Sequence, residues 1–166
     1  MTDTAACNRA PAGRRSPSRR VWLAAALLVV AGCAEEPELR LADGSGTSWS
    51  AWEGQWLLIN YWAEWCAPCR KEIPELNRIH EDQTGVVVLG VNFDGLQGEP
   101  LTALMGEMDV RFPVLLTDPA PRWEQPRPAV LPSTLVIDPE GNLHDVLVGP
   151  QTYEDLARAV GMTSEV

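Results

Sequence analysis

Two cysteines separated by two residues, Cys66 and Cys69, sit in the segment Trp65-Cys66-Ala67-Pro68-Cys69, directly after the apolar run Trp56-Leu57-Leu58-Ile59-Asn60-Tyr61-Trp62. Where a strand gives way to a helix, that spacing lets two thiols close into a disulfide with little movement of the backbone. The amides and partial positive charge of a helix N-terminus favour the thiolate of the first cysteine, which is the attacking form. The second cysteine lies one turn on and can attack a mixed disulfide formed on the first, releasing a product. Thiolates also ligate soft metals, so the pair is either catalytic or metal-binding. A closed zinc site needs about four ligands, usually Cys or His. The two histidines, His80 and His144, stand apart from the pair and from each other. Dithiol exchange is the favoured reading.

The elements around the pair must hold it at such a junction. The apolar run predicts a strand over 56–61, buried on both faces as in a parallel sheet. A helix opening at Cys66 places Ile73, Leu76 and Ile79 on one face, with Arg70, Lys71, Glu75 and Arg78 largely elsewhere. Pro74 should interrupt and kink that helix, and Gly85 ends the region. Residues 86–91 are the clearest strand, 100–108 read as a helix with Leu101, Leu104, Met105 and Met108 inward, and 112–116 as a short strand. Four prolines between 117 and 130 leave room for at most a short helix around Trp123. Residues 133–137 and 143–148 flank the turn Asp138-Pro139-Glu140-Gly141-Asn142 as a hairpin. Thr152, with Asp155 three residues later, caps a last helix. Ahead of all this, 39–41 and 47–49 read as two strands around Asp43-Gly44-Ser45-Gly46. The alternation implies a mixed α/β sheet with helices on both faces.

The chain has 166 residues, 45% of them apolar, enough for one core. Cys7 and Cys33 lie outside the part that reads as folded, so no second pair remains for a structural staple. The first 33 residues read as an export signal. Arg14, Arg15, Arg19 and Arg20 precede an eleven-residue apolar run, Val21 to Ala31, which is short of the ~20 residues that span a bilayer. Its end, Val30-Ala31-Gly32-Cys33, resembles the lipobox of bacterial lipoproteins, in which the cysteine is lipidated and becomes the new N-terminus. A plain secretory signal with an incidental cysteine is the alternative. Ser18-Arg19-Arg20-Val21-Trp22-Leu23 also resembles a twin-arginine export motif, with Trp where Phe is usual. The expected division is a lipoprotein signal peptide over 1–32, a tether over 33–38 and one folded domain over 39–166. From residue 33 on, the chain keeps eight basic and 22 acidic side chains, a formal net charge of about −14. That balance, with no basic patch, disfavours a nucleic-acid partner.

The segment from Asn60 to Leu76, with Trp65-Cys66-Ala67-Pro68-Cys69-Arg70-Lys71-Glu72 at its centre, resembles the active-site segment of thioredoxin-fold proteins. It is most similar to the TlpA/ResA-like branch: exported, membrane-tethered thiol-disulfide reductases that include cytochrome c maturation thioredoxins. The similarity runs from about Leu39 to Val160 and implies an α/β thioredoxin fold with an N-terminal β-hairpin. It also implies a central insertion around 92–116, which plain thioredoxin lacks. In this family a cis proline faces the dithiol, and the residue before it offers backbone hydrogen bonds to an extended substrate. Val130-Leu131-Pro132-Ser133-Thr134 matches that position, so the resemblance implies a substrate surface of Trp65, Ala67, Pro68, Leu131 and Pro132. Glu72 matches an acidic residue placed close to the disulfide for proton transfer, although a glutamate early in a helix also has a purely electrostatic use. Plain thioredoxin carries an aspartate where this chain has Asn60, which cannot accept a proton at neutral pH. Glu72 or water would then deprotonate Cys69. Trp62 reads as core.

The implied cycle starts with the Cys66 thiolate attacking a protein disulfide, after which Cys69 attacks Cys66 and frees the reduced client. Ala67-Pro68 places no cation between the thiols, which implies a reducing poise. No cofactor is called for, but a membrane dithiol electron donor is, at the periplasmic face of a bacterial membrane where Cys33 holds the lipid anchor. Apocytochrome c, a cupredoxin or copper-oxidase assembly factor, and general disulfide repair are the client classes in view. Rival readings are a Cu(I) chaperone using both thiolates, a thiol peroxidase, which usually wants a lone reactive cysteine, and an exported oxidant or isomerase.

Overall fold

A computed structural model describes residues 38–82 and 85–162. The signal, the tether up to residue 37 and Cys33 lie outside the described residues. In chain order the elements are β1 (Leu39–Arg40), β2 (Gly46–Thr47), β3 (Trp56–Trp62), α1 (Ala67–Glu81), β4 (Val86–Asn92), α2 (Gly98–Glu107), β5 (Val114–Leu115), β6 (Ser133–Ile137), β7 (Leu143–Val148) and α3 (Tyr153–Ala159). Two 3-10 turns, Trp49–Trp52 and Ala120–Trp123, complete it.

β3 lies at the middle of a five-stranded sheet ordered β5-β4-β3-β6-β7. It pairs in parallel with β4, Trp56 opposite Val86 and Trp62 opposite Asn92, and antiparallel with β6, Leu57 opposite Ile137. Central position explains why an uninterrupted apolar run suits it: both faces are covered. The steps from β3 to β4 and from β4 to β5 go the same way across the sheet. Right-handed crossovers therefore carry α1 and α2 to the same face. α3 joins them there, packing on α1. Leu58, Trp62, Val88 and Val136 meet Ile73, Leu76, Leu101 and Leu156 in one buried cluster.

The opposite face carries Ile59, Tyr61, Leu89 and Leu135, covered by Leu39, Trp49, Trp52 and Trp123. The expectation of helices on both faces is thus corrected: among the described residues all three α-helices share one face, and single 3-10 turns and the N-terminal hairpin close the other. Proline is the reason on one side. Pro119, Pro121, Pro126 and Pro128 remove the backbone donors a longer helix would need. The hairpin is sewn to the sheet edge by a bridge from Leu41 to Leu115 and by the Leu116 N–H, which donates to the Arg40 carbonyl at 3.0 Å.

Three local expectations also shift. Trp49 opens a 3-10 turn instead of ending a strand, and the strand expected over 112–116 shortens to β5. α1 runs unbroken through Pro74, since Cys69, Ile73, Leu76 and Ile79 bury one continuous stripe on both sides of it. Burying several such side chains outweighs the roughly 3 kcal/mol that an interior proline costs. The capping box at the start of α3 is as read from sequence: Thr152 Oγ1 accepts the Asp155 N–H, and Asp155 Oδ2 accepts the Thr152 N–H, each at 3.2 Å.

Candidate active site

Cys66 is the N-cap of α1, in extended backbone, and its sulfur accepts the N–H of Cys69 at 3.2 Å. Pro68 falls where a helix has no use for an amide donor, so it starts the turn without cost. The two sulfurs are joined as a disulfide with Cα atoms 5.3 Å apart. Cys69 is fully buried and Cys66 is 3% exposed. Attack on this pair is therefore confined to one small opening at Cys66. Trp65, Ala67 and Pro68 are exposed beside it.

Trp65 is 64% exposed, yet it is held. Its indole N–H is forked between the two carboxylate oxygens of Asp94, each at 3.1 Å, and its ring meets Phe93 edge-on at 6.1 Å. Arg127 lies over the Phe93 ring at 4.1 Å and donates to the Phe93 carbonyl. The loop after β4 thus fixes the rim of the dithiol.

The Leu131–Pro132 peptide bond is cis. Pro132 is buried and Leu131 half-buried, and Leu131 packs against both core clusters, one of which contains Cys66 and Cys69. Ser133 Oγ donates to the Val130 carbonyl at 2.8 Å, and the Gly149 N–H donates to the Pro132 carbonyl at 2.9 Å. Those two bonds fix the loop at the start of β6.

Three residues after Cys69 on α1, Glu72 is buried beyond the first turn, so it is not a surface carboxylate answering the helix dipole. Its Oε2 accepts from Asn60 Nδ2 at 2.8 Å and its Oε1 from the Gln151 N–H at 3.0 Å. Asn60 Nδ2 also donates to Thr134 Oγ1 at 2.9 Å, across the register pair Asn60–Thr134. Burial pushes the Glu72 carboxyl up to about 7, with the Gln151 amide and the Asn60 side chain opposing it. A carboxyl set there gains and loses a proton near neutrality. Asn60 Oδ1 has no partner among the described residues.

The structure thus joins Glu72 and Asn60, brings Thr134 of the cis-proline segment to Asn60, and adds Gln151, Asp94, Phe93 and Arg127. No local sequence signal marks the added four. Trp62 is core, as expected. Among the described residues, no three of His, Cys, Asp and Glu gather as a metal site, and no helix is long and apolar enough to cross a membrane.

The AhpC/TSA family profile matches residues 30–146. The thiol:disulfide interchange protein HelX of Rhodobacter capsulatus is 31% identical over 138 residues, covering 76% of this chain and 73% of that one. The thiol-disulfide oxidoreductase ResA of Bacillus subtilis is 32% identical over 125 residues, covering 71% and 68%. Among solved structures, a thiol:disulfide interchange protein of the thioredoxin family from Chlorobium tepidum superposes with a TM-score of 0.64 at 27% identity, covering 74% and 89%.

Proposed function

The chain belongs to the AhpC/TSA family and is a TlpA/ResA-like thiol-disulfide oxidoreductase of thioredoxin fold, and from that premise we propose that it is exported, lipid-anchored through Cys33, and reduces disulfides of client proteins with Cys66 and Cys69. The observation that carries the catalytic part is the buried Cys66–Cys69 disulfide at the mouth of α1, with only its first member open to solvent.

In the reduced protein the Cys66 thiolate attacks one sulfur of a client disulfide held against Trp65, Ala67, Pro68 and the Leu131-Pro132 loop. One client sulfur leaves as a thiolate and the other joins Cys66. Glu72 takes the proton of Cys69, whose thiolate attacks Cys66 and expels the second client sulfur. The client gains two electrons, and the protein is left as the disulfide. A membrane dithiol carrier restores it. Export and anchoring are supported by the basic stretch, apolar run and Val30-Ala31-Gly32-Cys33 end of the N-terminal sequence. Apocytochrome c and copper-protein assembly factors are the client classes proposed.

The test is a trap. Cys69→Ser stops the cycle after the first step, so client proteins should accumulate on Cys66 and be released by dithiothreitol. Cys66→Ser should capture none. A Cys69→Ser protein that holds only a peroxide-derived adduct, or wild-type protein that leaves insulin unreduced while its own pair cycles with dithiothreitol, defeats the proposal.

A further inference from the structure

The sheet face without α-helices is covered unevenly. Over β3 and β6 the tryptophans close it, but at the outer strand β7 the side chains of Val146 and Val148 stand 37% and 61% exposed. The register sets them opposite Leu135 and Ser133, on one side of the sheet. Together with Val130, 55% exposed, they line an open cavity of about 420 Å³ whose other walls include Pro126, Arg127 and Pro128. Apart from Trp65, these three valines are the large apolar side chains that the described residues leave exposed.

Two sets of residues link the groove to the dithiol rim. Val130 directly precedes Leu131 and cis Pro132. Arg127 lies on Phe93, and Phe93 meets Trp65, the neighbour of Cys66. The outer edge of β7 is meanwhile guarded against strand pairing. The Val146 N–H is already taken by Asp145 Oδ1 at 2.7 Å, and an acidic side chain on an edge strand opposes the approach of another strand. Whatever occupies the groove lies across the sheet face and is held by its side chains. A second copy adding edge to edge does not meet that condition, whereas a chain already tethered at Cys66 does.

Resting on the thiol-disulfide reading of the same site, we propose that this groove takes an extended aliphatic segment of the client polypeptide, flanking the cysteine under attack. It would select clients by the apolar sequence beside their disulfide, beyond the residues that contact the sulfurs.

Two synthetic peptides with the same internal disulfide, one flanked by Val and Leu and one by Ser and Gln, test this with the reduced protein. The aliphatic peptide should be preferred roughly tenfold in kcat/KM, the scale of covering one or two small apolar groups, and the difference should lie in KM. Val146→Asp with Val148→Asp should abolish the preference. The gentler pair Val146→Thr with Val148→Thr, which keeps the branched shape if the aspartates prevent folding, should lower it severalfold. Equal rates for the two peptides in wild type, or a preference that survives both variant pairs, overturns the groove alone. Reduction of neither peptide overturns the thiol-disulfide reading beneath it. A wild-type dimer that the substitutions dissociate assigns the groove to a second copy and likewise overturns the proposal.

Discussion

Glu72 has been taken out of water with two hydrogen-bond donors around it and no cation among the described residues. The Gln151 amide and the Asn60 side chain favour the carboxylate, but burial outweighs them, and the carboxyl sits at about 7 against an ordinary value of 4.5. Because the folded value is the higher one, folding takes up a proton between those limits. The associated stability is complete below about pH 4.5 and is lost as pH rises through 7, a difference on the order of 3 kcal/mol by linkage. Glu72→Gln carries no such proton. Urea midpoints of the oxidised wild type should therefore fall, relative to those of Glu72→Gln, between pH 5 and 7.5 and run parallel outside that window. A constant offset across the whole range would mean that Glu72 titrates normally. The same substitution should slow resolution of the mixed disulfide most at neutral pH, where the carboxylate would otherwise accept the Cys69 proton. Glu72 could be named from its place three residues after Cys69, but its environment could not. Gln151 bonds Glu72 from 79 residues along the chain and Thr134 bonds Asn60 from 74, separations over which no local pattern carries information.

At the level of elements, what could be read ahead was whatever a segment determines for itself. The apolar runs of β3 and β4, the Thr152–Asp155 box before α3 and the hairpin of β6 and β7 each carry their own signal. Misread were features decided by neighbours. α1 survives Pro74 because of what its buried face packs against, and the face that a helix takes follows from strand order, which is not local. Gly90 is a further case. It sits mid-strand in β4, where glycine is ordinarily a weak point, yet a Cβ built there would lie 2.9 Å from Trp62 Nε1, 2.9 Å from Phe112 Cε2 and 3.0 Å from a methyl of Val114. The Trp62 indole fills the space that a side chain at 90 would take, and it is itself fully buried between strand and helix. Gly90→Ala should thus destabilise the fold by about 1–3 kcal/mol through overpacking, even though alanine favours neither turn nor strand breakage. The loss should show in thermal or urea unfolding. An unchanged midpoint would mean that the Trp62 and Phe112 rings move aside freely.

For the whole molecule, charge and the proposed anchor act in opposite directions. A domain with a formal net charge of about −14 from residue 33 onward is repelled by anionic headgroups, so no electrostatic attraction holds it at a membrane. Among its described residues no helix can span one. On the proposed reading, acyl chains on Cys33 would do the holding at a bilayer, and several chains suffice where one would not. The consequence separates lipid anchoring from peripheral adsorption. Wild type should stay with the membrane fraction through high salt and alkaline carbonate and leave it only in detergent. Screening at high salt weakens surface electrostatics, so an adsorbed protein would shift on raising the salt. Cys33→Ser should move the protein to the soluble exported fraction without altering insulin reduction by the purified domain, since the anchor residue takes no part in sulfur exchange. Retention of Cys33→Ser in the membrane would assign the tether to the uncleaved apolar stretch of residues 21–31 instead.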